Sequence, residues 1–228
     1  MAAAWVLAFM LASAAAPRHV LVPILTYHTS SEEDPGEYAE LYVRPSVFRE
    51  QMLWLLVNGY SFCVFDDFPR LRHIEKPVLV TFDDGYPENF TDIFPIIQEL
   101  GIKITIFIFN GTPLPAEWIR GMANSGLVFF ESHGETHADM TTMGRSALFD
   151  EMARSVSWIH EVTGRAPVAL SYPYGMHNAA VRRNARAHFR YGAGTAASRH
   201  NTASDPFSIR RHAVTRTMEM DEFTALMG

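Results

Sequence analysis

Cysteine is the scarcest residue of this 228-residue chain, which has only one, Cys63. An internal disulfide is therefore excluded, and the fold must be stable without a covalent cross-link. Cys63 lies in the apolar run at residues 62–65 (FCVF). Since a free cysteine in such a run behaves as a small hydrophobic residue, we expect a buried and unreactive thiol.

Basic runs and a glycine-rich phosphate loop are also missing. The net charge is -6 and the isoelectric point is about 5.9. Nucleic-acid binding requires clustered Lys and Arg side chains to neutralise phosphates, so we exclude a nucleic-acid partner.

Long apolar stretches are absent apart from the Ala-rich segment at residues 2–16, and no other stretch could span a bilayer. This segment is too short for a comfortable transmembrane helix, and residues 12–14 (ASA) offer small side chains typical of a signal cleavage site. It lacks the Lys or Arg that normally precede such a segment. We predict a signal segment at residues 1–16, export of the protein, and one domain over residues 17–228. A plain N-terminal helix, or a start lying further upstream, are the alternatives.

Short apolar runs alternate with helical patterns along the remaining chain, which is typical of an α/β fold with parallel strands. The strand candidates are residues 20–27, 61–65, 78–82, 102–109, 127–130, 168–172, 189–193 and 209–214. Helical stripes at residues 47–57, 90–100 and 148–163 separate some of them and end at Asn58-Gly59, Gly101 and Gly164. Seven or eight such units suggest a closed or partly closed (β/α) barrel, in which an active site gathers at the carboxyl ends of the strands.

Two adjacent carboxylates, Asp83 and Asp84, follow a buried strand in the pentapeptide TFDDG at residues 81–85. Like charges that are brought together in a shielded site repel one another, and a divalent cation commonly offsets that repulsion. An ordinary Asp-Asp-Gly turn that caps the next helix is the alternative interpretation of this pentapeptide.

His133 and His137 stand four residues apart in HGETH, directly after another apolar run. In a helical turn, imidazoles at this spacing face the same way and can bind one metal ion. Together with Asp84 they supply the three ligands that are typical of a catalytic zinc site. Two surface histidines are the alternative, and Glu135 is expected to point away from the imidazoles.

Two further strand ends carry polar groups. Ser171-Tyr172-Pro173-Tyr174-Gly175 ends one strand, where a Pro-Tyr-Gly turn can direct a backbone N–H towards an oxyanion. His28 ends the first strand and would lie on the same rim of a barrel. A plain turn and a structural histidine are the respective alternatives.

Together, TFDDG, the His133/His137 pair and YPYG (residues 172–175) resemble the polysaccharide deacetylases, the NodB-homology enzymes of carbohydrate esterase family four. The resemblance runs from about His19 to the C-terminus. It implies a distorted (β/α) barrel of about seven parallel strands and a divalent metal, most simply Zn²⁺. It assigns Asp83 as general base, Asp84, His133 and His137 as metal ligands, and the Tyr174 N–H as oxyanion donor.

The chain departs from the family pattern at two places. Ser171 stands where the family has an arginine that orients the catalytic aspartate, and a Leu-x-His motif near the C-terminus is missing. Both departures resemble the branch that acts on poly-β-1,6-N-acetylglucosamine, in which a Tyr-His motif near the N-terminus supplies the acid. His28 is therefore the predicted general acid, His212 is its competitor, and Arg211 is a candidate for the missing cation.

The predicted function is metal-dependent removal of N-acetyl groups from a polysaccharide that contains N-acetylglucosamine. Tyr172, Pro173 and Arg211 are the predicted substrate-binding residues. Deacetylation of chitin oligomers or peptidoglycan, deformylation of a lipid-linked sugar, and carbohydrate binding without catalysis are the alternatives. The oligomeric state is left open.

Overall fold

The computed structural model describes residues 22–195 and 205–227, so the predicted leader at residues 1–16 lies outside the described residues. Ten strands are found in this part of the chain. They are β1 (Ile24–Tyr27), β2 (Thr29–Ser30), β3 (Tyr42–Val43), β4 (Ser61–Cys63), β5 (Pro77–Phe82), β6 (Ile104–Ile108), β7 (Val128–Ser132), β8 (Ala169–Ser171), β9 (Tyr191–Ala193) and β10 (His212–Ala213).

The main sheet is parallel throughout and runs in the order β10-β1-β5-β6-β7-β8-β9. Strand β4 pairs with the first residues of β5, whereas β2 and β3 form a separate pair. The seven-stranded path curls, and a parallel bridge between Ala193 and Ile209 ties β9 to the segment that leads into β10. The predicted barrel of about seven parallel strands is thus confirmed.

The strands are buried on both faces, which is why they stand out in the sequence as continuous apolar runs. In β5, Val78 and Val80 pack into the layer between sheet and helices, whereas Leu79 packs with Phe107 of β6 in a second core cluster. Successive side chains of a strand point to opposite faces, so this run fills both layers at once.

Six α-helices surround the sheet: α1 (Pro45–Val57), α2 (Phe94–Leu100), α3 (Ala116–Asn124), α4 (Arg145–Thr163), α5 (Ala179–Ala185) and α6 (Met220–Met227). The three predicted stripes correspond to α1, α2 and α4, and a π-helical turn at Asn89–Ile93 leads into α2. Gly101 and Gly164 cap α2 and α4 in the left-handed conformation, as expected of helix-ending glycines. Across the described residues, every helix is too short or too polar to cross a membrane.

Candidate metal and catalytic site

The polar residues predicted from the sequence meet at the carboxyl ends of the parallel strands. His28 follows β1, Asp83 follows β5 and His133 follows β7. A cavity of about 350 Å³ opens at this edge. Six of the predicted site residues line it: His28, Asp83, Asp84, His133, His137 and Tyr174. The parallel register therefore brings together groups that are up to 146 residues apart, as the barrel predicts.

Asp84, His133 and His137 point their ligand atoms at one another. The Nε2 atoms of His133 and His137 lie 3.3 and 3.1 Å from Oδ1 of Asp84, and the three ligand atoms all lie within 4.8 Å of each other. This oxygen is buried and accepts no geometrically sound hydrogen bond from the described residues. Two nitrogens and one oxygen that converge in this way fit a divalent metal with an open coordination position.

The tautomer of His133 is fixed by the backbone. Its Nδ1 lies 2.8 Å from the carbonyl oxygen of Ser171, which can only accept, so Nδ1 carries the proton and Nε2 presents a lone pair. Burial alone would lower the pKa of His133, but the neighbouring Asp83 and Asp84 outweigh it and raise that pKa. A cation bound at Nε2 would keep that nitrogen unprotonated, because a metal ligand must be deprotonated, while Nδ1 keeps its proton.

The segment that carries the two histidines is a loop, so the predicted helical turn is wrong. Gly134 has φ +86° and His137 has φ +57°, and both values belong to the left-handed region rather than to a helix. The 133/137 spacing still works because the loop folds back on itself and turns both imidazoles towards Asp84. Glu135 points elsewhere, as expected, and its Oε1 accepts a hydrogen bond from Nδ2 of Asn110.

Asp84 and Gly85 form a tight left-handed turn with φ +71° and +68°. The Thr112 hydroxyl lies 2.5 and 2.7 Å from their two carbonyl oxygens. A Cβ at position 85 would stand 2.3 Å from Oγ1 of Thr112, so only glycine fits there. The turn swings Asp84 towards the histidines while Asp83 faces the barrel interior.

Asp83 is held by a buried arginine. Nη1 and Nη2 of Arg211 each lie 2.7 Å from one carboxylate oxygen of Asp83, and the arginine side chain is completely buried. Ser171 completes the group: its hydroxyl donates to Asp83 across 3.1 Å and accepts from Arg211 across 2.7 Å. Burial would raise the pKa of Asp83, but Arg211 and then His133 outweigh it, so that pKa lies below its ordinary value. Asp83 is therefore ionised at neutral pH.

The two candidate acids occupy different places. His28 lines the cavity, and its carbonyl oxygen accepts a hydrogen bond of 2.9 Å from Nδ2 of Asn89. Burial lowers the pKa of His28, against the opposing effect of Asp83 and Asp84. His212 follows Arg211 directly, and successive side chains of a strand point to opposite faces. Because Arg211 points inward to Asp83, His212 points to the other face, and it does not line the cavity.

The three predicted substrate-binding side chains are all buried and lie outside the cavity lining. The Tyr172 phenol donates a hydrogen bond of 3.0 Å to the Phe207 carbonyl and is fully buried, as Pro173 is nearly so. Arg211 contacts Asp83 instead, which agrees with its other predicted role as the missing cation. Tyr174 differs: φ is +59°, the side chain is 64% exposed, and the ring packs 4.9 Å from that of His137.

Two tyrosines that were not predicted from the sequence, Tyr38 and Tyr86, also line the cavity. Leu41, Gly175 and Thr195 lie beside them in the lining. Tyr86 directly follows TFDDG, and that position was the available signal. Burial and the nearby Asp84 raise the pKa of Tyr86 to about 12, so its phenol stays protonated. Tyr38 is 63% exposed at the lip, far from any motif, and only the fold brings it to the site.

The family model for polysaccharide deacetylases matches residues 71–191, which is more than half of the chain. Bacillus subtilis YxkH, which is named after the polysaccharide deacetylases, is 30% identical over 167 residues, or 69% of this chain and 58% of that protein. A poly-beta-1,6-N-acetyl-D-glucosamine N-deacetylase of Staphylococcus aureus is 21% identical over 174 residues, covering 67% and 59%. The chain thus spans less than two thirds of the length of these relatives.

The fold agrees with the sequence match. A crystal structure of a polysaccharide deacetylase from Bacillus cereus superposes with a TM-score of 0.85 at 24% identity, over 91% of this chain and 69% of that one. Within the matched segment lie the Asp-Asp pair, His133, His137 and the YPYG turn. The chain belongs to the polysaccharide deacetylases, a family of metal-dependent hydrolases.

Proposed function

We propose that this protein hydrolyses the N-acetyl groups of a polysaccharide that contains N-acetylglucosamine and releases acetate. The observation that carries the proposal is the buried Asp83–Arg211 pair, which lies next to the converging Asp84, His133 and His137 side chains. An ionised base beside an open metal site is what amide hydrolysis needs. The similarity to a poly-β-1,6-N-acetylglucosamine deacetylase supports the choice of this sugar.

Asp84, His133 and His137 would hold the divalent cation, most simply Zn²⁺. When bound, such an ion supplies Lewis acidity that polarises the acetamide carbonyl and acidifies water. Asp83 accepts the proton of the attacking water. Arg211 and Ser171 fix its carboxylate in one orientation, so the base is in position before the substrate arrives.

His28 is the proton donor to the departing amine in this scheme. Its place in the cavity lining supports the role, whereas His212 is not among the lining residues, which speaks against the competitor. The lowered pKa of His28 makes its imidazolium a stronger acid, and it also makes that form scarcer at neutral pH.

The Tyr174 N–H is the proposed oxyanion donor, and one such donor typically contributes about 3–4 kcal/mol to transition-state stabilisation. The left-handed backbone of Tyr174 exposes this turn at the cavity lip. Tyr38, Tyr86 and Tyr174 surround the opening, and aromatic rings of this kind offer flat apolar faces to a sugar.

Deacetylation of chitin oligomers or peptidoglycan would use the same catalytic groups and is the nearest competing proposal. A carbohydrate-binding protein without catalysis would have no use for a buried carboxylate held ionised next to a metal site. We further propose that the protein is exported, since the apolar residues 2–16 resemble a signal segment.

The test is acetate release by the zinc-loaded protein from β-1,6-linked N-acetylglucosamine oligomers, with chitin oligomers in parallel. We expect release from the β-1,6 series that stops when a chelator is added. Release from chitin oligomers alone would overturn the proposed polymer. Asp83→Asn is the matched variant, expected to bind zinc and release no acetate; zinc binding by the wild type without release from any oligomer would favour the binding protein.

A further inference from the structure

We propose that Glu151 and Ser155 of α4 are positioning residues for the metal-binding loop, defined as residues 133–137. The inference rests on the proposed metal site. The inference extends that site by two residues of α4. This helix supplies none of the proposed metal ligands and none of the residues that line the cavity.

The buried face of α4 is otherwise built for packing. Leu148, Met152, Ile159 and Val162 cover the sheet, whereas Glu151 and Ser155 interrupt this apolar face one helical turn apart. Glu151 is 6% exposed and, within the described residues, forms no ion pair. A buried carboxylate is costly unless hydrogen bonds compensate it, so the partners of Glu151 indicate what it is for.

All the hydrogen bonds found for Glu151 come from the metal-binding loop. Its Oε1 accepts from the backbone N–H groups of Glu135 and Thr136 at 2.8 and 2.7 Å. The Thr136 hydroxyl lies 3.1 Å from both carboxylate oxygens. One carboxylate thus gathers the donors of the two residues that lie between Gly134 and His137.

Ser155 supports the start of the same loop. Its hydroxyl lies 2.7 Å from that of Ser132, and Oγ of Ser132 accepts the N–H of Gly134 at 3.1 Å. The hydrogen bonds that connect α4 to the loop therefore pass through the hydroxyls of Ser155 and Ser132. Glu151 and Ser155 together hold the backbone on both sides of Gly134, directly after His133.

Gly134 allows this close approach. A Cβ at this position would stand 2.9 Å from Oε1 of Glu151 and 2.9 Å from Cε of Met140. Its φ of +86° is also a conformation that favours glycine. The glycine and the carboxylate are thus matched, and a side chain at position 134 would displace the group that holds the loop.

The positions of His133 and His137 depend on this support, because the two histidines lie on either side of the residues that Glu151 holds. Without this support the loop has more conformations in which the two Nε2 atoms no longer converge on Asp84. Outer-shell partners of metal ligands typically contribute about 10- to 100-fold to metal affinity. We expect that contribution from Glu151 and a smaller one from Ser155.

The experiment is a zinc titration of the full-length wild type and of Glu151→Ala, Glu151→Gln, Ser155→Ala and the control Asp150→Ala, with zinc Kd as the readout. Asp150 is an exposed acidic residue of the same helix. We expect a Kd about 10- to 100-fold higher for Glu151→Ala. Glu151→Gln keeps an acceptor oxygen and should lose less, and Asp150→Ala should match the wild type. Circular dichroism of the zinc-free proteins checks that each variant is folded.

An equal zinc Kd for folded Glu151→Ala and the wild type would overturn the inference, even if the variant melts at a lower temperature. Should Glu151→Ala fail to fold, Glu151→Gln and Ser155→Ala decide in its place, and wild-type Kd values in both would overturn it. A wild type that binds no zinc would instead refute the proposed function.

A double-mutant cycle that combines Glu151→Ala with Gly134→Ala tests whether the glycine and the carboxylate act together. We expect the losses in zinc affinity of the two single variants to be less than additive, because both substitutions disturb the same contact.

Discussion

Arg211 and Asp83 form a two-pronged ion pair inside the barrel, although 128 residues separate them in the sequence. Arg211 directly precedes β10 and Asp83 directly follows β5, and β1 lies between these two strands in the sheet. The Ser171 hydroxyl, at the sequence position where the resemblance led us to expect an arginine, hydrogen-bonds to both members of this pair. In this chain the guanidinium that reaches Asp83 therefore comes from the segment before β10.

Replacing Arg211 is expected to damage both stability and turnover. Arg211→Met leaves the buried carboxylate of Asp83 without its cation, which should lower the free energy of unfolding by about 3–5 kcal/mol. Arg211→Lys keeps the charge and loses the planar fork, so we expect a milder loss of stability with activity lower by about 10²-fold. Urea denaturation and acetate release measure the two effects. Wild-type turnover in Arg211→Lys would contradict the orienting role, and Arg210→Lys is the neighbouring control.

Removal of either metal-binding histidine should abolish zinc retention, with different effects on the fold. His133 is 2% exposed and bonded to the Ser171 carbonyl, whereas His137 is half-buried. We therefore expect His133→Ala to lower the thermal midpoint of the zinc-free protein more than His137→Ala does. Zinc content after dialysis and a thermal melt with chelator are the measurements. Full zinc content in either variant would refute its assignment as a ligand, and His73→Ala provides a histidine outside the site.

His28→Ala should retain zinc and fold but lose turnover by about 10²- to 10⁴-fold, the usual contribution of a general acid. His212→Ala serves as the comparison because its side chain points away from the cavity. The zinc content, circular dichroism and acetate release of both variants are compared. The assignment would be reversed if His212→Ala had the low turnover and His28→Ala did not.

Gly85→Ala is expected to destabilise the protein by about 1–3 kcal/mol, since the left-handed backbone and the contact with Thr112 both oppose a Cβ. Gly121→Ala is the matched control. A Cβ at position 121 meets nothing within 4 Å and lies inside α3, where alanine should add about 0.5–1 kcal/mol. Urea denaturation of both variants gives the comparison. An unchanged midpoint for Gly85→Ala would show that the turn can relax.

The Cys63 thiol should react with a disulfide reagent such as DTNB only when the protein unfolds. Cys63 is 3% exposed, and burial raises the pKa of its thiol to about 11, so the reactive thiolate is scarce at pH 8. We expect slow labelling in buffer and one fast equivalent in urea. Rapid labelling of the native protein would mean that β4 opens readily.

Much of the fold could be predicted because both faces of its strands are buried. The run at residues 78–82 is apolar throughout, and the predicted strand differs from β5 by one residue. Helix α3 was missed because only Ile119 and Met122 of its nine residues are buried, and Gly121 lowers its helical propensity. Strand β10 is shorter than the predicted strand at residues 209–214, although Ile209 forms a separate parallel bridge with Ala193.

The convergence of the candidate metal-binding and catalytic residues could be predicted because several of them follow predicted strands. The residues that hold the loop between His133 and His137 in place could not be predicted from the sequence. Glu151 occurs in a helical stripe as an ordinary charged residue, and only the tertiary packing turns it towards the metal-binding loop. Tyr172 was misleading in the opposite way: its place in YPYG suggested contact with substrate, yet its ring packs into a core cluster and its hydroxyl donates to the Phe207 carbonyl.

The position of Arg211 directly before the last strand of the sheet also sets the order in which the candidate site can be completed during synthesis. At about 5–20 residues per second, a ribosome adds Arg211 roughly 6 to 26 seconds after Asp83. Until β10 docks beside β1, the nascent chain has the Asp84, His133 and His137 side chains but lacks the guanidinium that pairs with Asp83. Under the proposed function, hydrolytic competence would therefore arise late, when the final strand joins the barrel.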